Sequence, residues 1–456
     1  MPASVPFLIA TLPAVALATG ADDVRILFAG DILLGRQVRR EIDATGRDPL
    51  REVRALLSGA DVAGGNLEGA VGACGAGELC FDLRKDDLAL LSAAGFDLLS
   101  LENNHAGDTG PDGRAMTESS VRALGLEPLT LERSPVFVHA KGWTIAFVAF
   151  SEVPARDGHE TGPSAELARK LRLARALANV VVVSVHWGEE LFDWPSARQR
   201  RDATWLVEHG ADVVMGHHPH VVQAPECVGG KPVFFSLGNH LFDQKYPATK
   251  VGLLADCRIE DGVLRCGGIE TRTPPGSASP AIVGRDDVAD RALALCPCDV
   301  NEGLAVGDRT LEPEGDGLSL SLVARERGRR EWRTPEGRLL EASAVTLPSG
   351  TLLYTLEEHA STIDGERAPR PYVYRVTATG LSALWRGSAL AWPLVDAVAM
   401  PDHPGCLCAL HRGDSFLELD PRNRERRTAV YRWNGFGFDV VRDAAVEARC
   451  REIFAP

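Results

Sequence analysis

The sequence predicts an α/β domain followed by a β-rich C-terminal region, on three observations. From residue 24 to about 273 short apolar runs alternate with helix-length amphipathic segments, the pattern of a sheet covered on both faces. Polar clusters fall at the ends of those apolar runs rather than inside them. Beyond about residue 300 the pattern changes to strand-like alternation with few helix signals. A chain of 456 residues with 45% hydrophobic content can bury a large core, and its length suggests two or three domains.

Taken in order, the strand candidates are "VRILFAG" (24–30), "DLLSLEN" (97–103), "WTIAFVAFS" (143–151), "NVVVVSVHWG" (179–188), "ADVVMGHH" (211–218) and "PVFFSLGN" (232–239). Each is a nearly unbroken apolar run, as expected for a strand buried on both faces. The helix candidates between them are "DPLREVRALLSG" (48–59), "DLALLSAAG" (87–95), "GRAMTESSVRALG" (113–125), "SAELARKLRLARALA" (164–178) and "ARQRRDATWLVEHG" (197–210). The domain layout read from these signals is 1–21 export leader, 22–275 α/β domain, 276–299 linker and 300–456 β-rich domain.

The leader rests on "MPASVPFLIATLPAVALATGADD", an apolar stretch of secretory length that ends in small residues with "ALA" at 16–18. A retained membrane anchor or a buried strand are the other readings of that stretch. Ten cysteines support an exported chain, since an even count there usually forms disulfides. In "CRIEDGVLRC" the Asp261-Gly262 pair is a two-residue hairpin turn, which sets Cys257 opposite Cys266 and predicts a disulfide. Cys74 and Cys80 bracket a Gly-rich loop and are expected to pair. The "CPC" at 296–298 and "CLC" at 406–408 offer a four-thiolate zinc site, with oxidation the favoured alternative.

In the C-terminal region Trp332-Arg333 and Trp385-Arg386 lie 53 residues apart, and each stands 16 residues before a proline, Pro348 and Pro401. This spacing suggests a 53-residue repeat of propeller-like four-stranded units, too few to close a propeller, with a small β-sandwich as the alternative. Two basic runs, 325–333 and 422–427, either offer Arg forks to a polycarboxylate or protect an exposed strand edge with charge. The second reading is favoured. The formal net charge of -14 and the pI near 5.4 argue against nucleic acid as a partner.

The polar clusters at the strand ends are "GD" at 30–31, "NNH" at 103–105, "HWGEE" at 186–190, "GHHPH" at 216–220 and "GNHLFD" at 238–243. Ligands of open α/β sheets bind at the carboxyl ends of the strands, so these clusters should converge on one site. With Glu68 they offer Asp31, Asn104, His105, His186, His218 and His220, a mixed nitrogen and oxygen set that suits Mn, Zn or Fe better than Mg or Ca. By strand alternation His217 should face away if His218 and His220 face a metal. His240 is expected as a packed histidine, and Trp187 as either packing or a substrate contact. Asn66, Asn103 and Asn239 are further candidate substrate contacts.

Six ordered motifs, "GDILLG" (30–35), "GNLEG" (65–69), "NNHAGDTG" (103–110), "HWGEE" (186–190), "GHHPHVVQ" (216–223) and "SLGNHLFD" (236–243), resemble the CapA-type poly-γ-glutamate capsule biosynthesis family. That family is similar to the calcineurin-like metallophosphoesterases. The resemblance implies a metallophosphoesterase-like layered α/β domain over about 24–273. It implies Asp31 as a metal ligand, Glu68 with Asn66 beside it as the bridging region, Asn104 as ligand and His105 as the proton donor. His186, His218 and His220 would complete the shell. The phosphoesterase Asp-x-His reads Asp31-Ile32-Leu33 here, and the bridging Gly-Asp reads Gly65-Asn66, which leaves one or two ions open.

The expected function is synthesis, processing or export of an anionic capsule polymer at the cell envelope, as part of a capsule synthesis complex at the membrane. Its mechanism would be metal-dependent hydrolysis or transfer at an amide or phosphoester. His105 would act as general acid, while Asp108 or Glu190 orients the ligand histidines. The alternatives are a periplasmic phosphoesterase acting on a small phosphoester, and a non-catalytic polymer-binding or assembly module.

Overall fold

The structure, a computed structural model, describes residues 23–454 apart from 75–79, 156–161, 286, 295, 361–366, 387–389, 391–393 and 413–425. The expected leader lies outside the described residues, as do residues 422–425 of the second basic run. Along the chain the principal elements are β1 (Val24–Ile32), α1 (Arg36–Thr45), β2 (Val62–Leu67), β3 (Leu98–Ser100), α2 (Pro111–Ala123) and β4 (Trp143–Ser151). There follow α3 (Ala165–Leu177), β5 (Val180–His186), α4 (Ala197–Glu208), β6 (Val213–His217), β7 (Lys231–Phe234), β8 (Asn239–Leu241), β9 (Val251–Glu260) and β10 (Val263–Arg272).

These elements build two sheets rather than one. In the first the order runs from Ala281–Arg285 through β10, β9, β1, β2 and β3 to Glu127–Leu129, with β8 pairing β1. The second runs from Glu226–Val228 through β7, β6, β5 and β4 to Val136–Ala140, then into three C-terminal strands between Arg309 and Arg333. Period-two alternation shows how they stack. Ile26 and Phe28 of β1 pack with Phe147 of β4 and Val180 and Val182 of β5 in one apolar cluster between the sheets. The intervening Leu27 and Ala29 pack with Val38 of α1 and Val121 of α2, and Val181, Val183 and Val185 pack with Leu167 and Leu171 of α3 and Leu206 of α4. Unbroken apolar strands report that both faces are covered but not by what. Here one face is covered by helices and the other by the partner sheet.

The stretch 276–299 is more than a connection. Ala281–Arg285 and Cys298–Asp299 both hydrogen-bond to β10, and a helix, Asp287–Leu293, lies between them. Residues 304–333 form four successive antiparallel strands that extend the second sheet, and two further four-stranded antiparallel sheets follow at 338–386 and 394–441. The last two pack on each other through Leu340, Tyr354 and Leu356 against Leu394, Leu407 and Tyr431. Arg172 of α3 ties them to the first domain through Glu341 at 3.3 Å and Asp396 at 2.8 Å.

Three arginines of the first basic run are paired with acids. Arg325 meets Glu312, Arg330 meets Glu314, and Arg333 meets Glu314 and Glu336, around the edge strand Arg329–Arg333. Both expected disulfides are present, Cys74–Cys80 and Cys257–Cys266, the second in the register read from the hairpin turn. Cys227–Cys296 and Cys408–Cys450 are two more, so the CPC and CLC pairs do not combine into a zinc site. No helix among the described residues is long and apolar enough to cross a membrane.

Candidate metal centre and catalytic site

Asp31 is delivered by an irregularity at the end of β1. Ala29 pairs with Gly65 and Asp31 with Asn66, so the register shifts across Gly30, as at a bulge that re-aims a side chain. Only glycine fits at position 30, because a Cβ there would fall 2.0 Å from the Gly238 carbonyl oxygen. The same close approach lets the Asp31 N–H donate to that oxygen at 3.0 Å. The Asp31 carboxylate is fully buried. Its Oδ1 accepts from Asn66 Nδ2 at 2.8 Å, and its Oδ2 accepts from the His218 backbone N–H at 3.3 Å.

Two imidazoles of "HHPH" close on this carboxylate, and one of them also on its neighbour Glu68. His217, the last residue of β6, shares parity with Val213 and Met215 and therefore faces the partner sheet. Its Nδ1 lies 3.4 Å from Asp31 Oδ1, so the expectation that His217 faces away is overturned. Alternation holds only in extended backbone, and His218 and His220 adopt left-handed φ values of 95° and 58°. That turn folds His220 back until its Nδ1 is 3.2 Å from Asp31 Oδ2 and its Nε2 is 3.5 Å from Glu68 Oε1. Non-glycine residues at such angles cost on the order of 1 kcal/mol or more each and cluster at functional sites.

Glu68, just past β2, is fully buried, and neither of its carboxylate oxygens makes a hydrogen bond. A ligand atom each from Asp31, Glu68 and His186 lie within 4.8 Å of one another. His186 Nε2 is 2.8 Å from Asn104 Oδ1, which leaves Nδ1 as the lone-pair nitrogen beside Asn66 at 3.4 Å. Buried carboxylate oxygens without donors next to an imidazole lone pair are what a divalent cation requires. The residues present fit a metal.

The electrostatics agree. Burial alone would raise Asp31, but hydrogen bonds and charge from His217 and His220 hold it well below the usual carboxylate range. Burial pushes Glu68 well up, His220 opposes this, and the charges of Asp31, Glu190 and Asp108 add to it. Burial acts against the imidazolium of His220, yet the carboxylates of Glu68 and Asp31 push it up to about 9. Burial, then neighbouring histidines, lowers His186 well below its ordinary value and His218 to about 4. Glu68 and His220 are thus both held toward their protonated forms beside the ionised Asp31, while His186 and His218 are held toward neutral imidazole.

His105 is the partly open member. Its Nδ1 is 2.8 Å from Asp108 Oδ2, its Nε2 is 3.9 Å from Glu68 Oε1, and its ring stacks on Phe81 with centroids 3.7 Å apart. Asn103 donates to Asn66 Oδ1 at 3.2 Å and accepts from the His105 N–H at 3.1 Å, so it braces the site. Asn239 Oδ1 is 2.9 Å from His220 Nδ1. Trp187 is fully buried, stacks on Phe235 and donates from Nε1 to the Phe235 carbonyl; of its two readings, packing is the one found. Glu190 is exposed and acts on Glu68 and His220 through its charge. His240 is a packed histidine against Phe96. Phe81 and His217 are the residues that motif reasoning missed. The parity of β6 held the signal for His217, while nothing in the sequence marks Phe81.

Residues 25–244, which include every residue of this cluster, match the family model described as bacterial capsule synthesis protein PGA_cap. The PGA biosynthesis protein CapA of Bacillus subtilis is 28% identical over 298 residues, 60% of this chain and 78% of that protein. Residues 25–244 carry the domain of this CapA-type capsule family. Another relative of the CapA type is the capsule biosynthesis protein CapA of Bacillus anthracis, 28% identical over 266 residues, 53% of this chain and 65% of that protein. A Mycobacterium tuberculosis protein named "Probable polyglutamine synthesis accessory protein" is 25% identical over 293 residues, 50% of this chain and 76% of that protein. The family-model match ends at residue 244, before the β-rich C-terminal sheets begin.

Proposed function

We propose that this protein is a metal-dependent hydrolase or transferase in the synthesis, processing or export of an anionic capsule polymer of the poly-γ-glutamate class. The observation that carries the proposal is the buried convergence of Asp31, Glu68 and His186, with both Glu68 oxygens unsatisfied. The names of the CapA relatives support the polymer. The four disulfides support an exported protein acting at the envelope, periplasmic in a two-membrane cell, beside a capsule synthesis complex.

Asp31, Glu68 and His186 would hold the ion, with Asn104, His218 and His220 around it, and Mn, Zn or Fe suits these donors. Held there, a divalent cation supplies Lewis acidity and lowers the pKa of a water. Asp108 accepts the Nδ1 proton of His105 and so fixes the tautomer. The acid form of His105 then presents a proton at Nε2, on the Glu68 side, to a leaving amine or alkoxide. Asn66 and Asn103 orient the carboxylates and the His105 backbone, and Asn239 orients His220.

The deciding experiment measures metal content by plasma mass spectrometry in wild type and in His218→Ala/His220→Ala and Glu68→Gln variants, with assays on γ-glutamyl and phosphoester substrates. The expected result is about one or two ions per chain in wild type, lost in the variants together with turnover. Wild-type protein that stays metal-free and inactive after Mn or Zn is supplied would leave a non-catalytic polymer-binding module. Turnover confined to phosphoesters would leave a phosphoesterase.

A further inference from the structure

Phe81 holds the two members of the His105–Asp108 pair at once. Its ring lies parallel to His105 within 17°, at 3.7 Å between centroids. Its backbone N–H donates to Asp108 Oδ2 at 2.8 Å, the same oxygen that lies 2.8 Å from His105 Nδ1. One residue therefore sets the plane of the imidazole and the position of the carboxylate that orients it.

What holds Phe81 is covalent on one side. It follows Cys80 directly, and Cys80 is bonded to Cys74. On the other side its carbonyl accepts from the Ala70 N–H at 3.0 Å, two residues beyond Glu68. The ring also meets Phe242 at 5.7 Å and the Arg36 guanidinium at 4.9 Å, and that guanidinium is fixed by Asp243 at 3.1 Å. Residues 80–83 form little regular structure, only a two-residue strand, Asp82–Leu83, paired with Ala70–Val71. A short segment with so few ladder bonds holds its place poorly unless something else restrains it.

We propose that Phe81 is a positioning residue for His105, and that the Cys74–Cys80 disulfide is the fastening that keeps it in place. The inference rests on the assignment of His105 as the proton donor. It assigns to this disulfide a role that its small loop would not suggest, since a bond closing so few residues removes little entropy from the unfolded chain.

The test uses the full-length oxidised protein and two readouts. The first is the chemical shift of the His105 ring protons by NMR, which the Phe81 ring current displaces upfield. The Cys74→Ser/Cys80→Ser double variant, with the other three disulfides intact, should lose most of that displacement. Phe81→Leu should lose all of it, and Phe81→Tyr should recover it. The second readout is turnover: kcat should fall about tenfold to a hundredfold in Phe81→Leu and in the double variant, with KM within about twofold. An unchanged His105 shift in the double variant would overturn the disulfide's role, whatever the activity. A wild-type protein without turnover would defeat the proposed hydrolase while leaving the NMR result to decide this inference. Metal content measured on each variant separates displacement of His105 from collapse of the site.

Discussion

The His220 imidazole touches Asp31 through one nitrogen and Glu68 through the other, and it is pushed up to about 9 while Glu68 is also pushed well up. Whichever group carries it, the cluster holds a proton near neutrality that a divalent cation would displace. Cation uptake at pH 7 should therefore release about one proton, read as the dependence of binding enthalpy on buffer ionisation enthalpy. A binding enthalpy independent of buffer would contradict this. His240 makes the opposite case: buried against Phe96 with neither nitrogen hydrogen-bonded, it is held down at about 4 by burial. Its folded value lies below the unfolded one, so the stability it contributes is present above about pH 6.5 and is lost as pH falls toward about 4. His240→Phe should flatten that part of the pH profile of the thermal midpoint without changing metal content. At this scale the sequence yielded Asp31 and His186 from strand-end placement, and Glu68 through the "GNLEG" motif that resembles the capsule family. It failed at His217 because alternation was carried through a turn whose left-handed residues break it, and at Phe81 because a ring stack leaves no motif.

The strands β4, β5 and β6 were legible because their apolar runs are unbroken, and "WTIAFVAFS" matches its strand residue for residue. The strand β2 was not, because "VAGGNL" lacks β propensity. Its glycines are there for space: a Cβ on Gly64 would meet the Phe28 ring at 2.6 Å, and one on Gly65 would meet Ile32 at 2.9 Å. The helix α1 also went unread, since "RQVRREIDAT" buries only Val38. Conversely, most of the expected helix at 48–59 is turn, with only Arg54–Leu57 helical. Close approach recurs where β1 meets Gly238, and it has a measurable consequence. Gly30→Ala should destabilise the fold by about 3 kcal/mol and abolish cation binding, because β1 must retreat from the segment that carries Asn239. Denaturant unfolding and metal content check the two halves. The helix α3 supplies a control: Ser164 caps it by accepting from the Leu167 N–H at 3.1 Å, so Ser164→Ala should cost about 1 kcal/mol with metal content unchanged.

Across the whole molecule, the C-terminal sheets are joined to the α/β domain by Arg172, Glu341 and Asp396. Burial pushes Glu341 up to about 7, against the pull of Arg172. Because that folded value lies above about 4.5, the stability Glu341 contributes is complete below about pH 4.5 and is lost as pH rises through about 7. Wild type should therefore lose thermal stability relative to Glu341→Gln between those limits. Arg172→Ala, which strands two buried carboxylates, should cost about 3 kcal/mol at neutral pH. The net charge of -14 opposes a polyanionic substrate. Raising ionic strength from about 0.01 M to about 0.15 M, which shortens the screening length from about 30 Å to about 8 Å, should lower KM for a polycarboxylate. A rise in KM would point instead to a cationic docking surface. The extent of the C-terminal β-region was legible in the sequence; that its first strands join the second sheet was not, since strand signals do not name their neighbours.

The two halves of the proposed ligand set come from different sheets, Asp31 in β1 and Glu68 just past β2 from the first, His186 at the end of β5 and His218 and His220 just past β6 from the second. A cation bound between them is a rivet through both layers, and the layers cannot part without releasing it. Occupancy should then be legible as longevity: the loaded protein would outlast the empty one against a protease by a margin set by the free-ion concentration. Such a protein would persist in proportion to the metal around it.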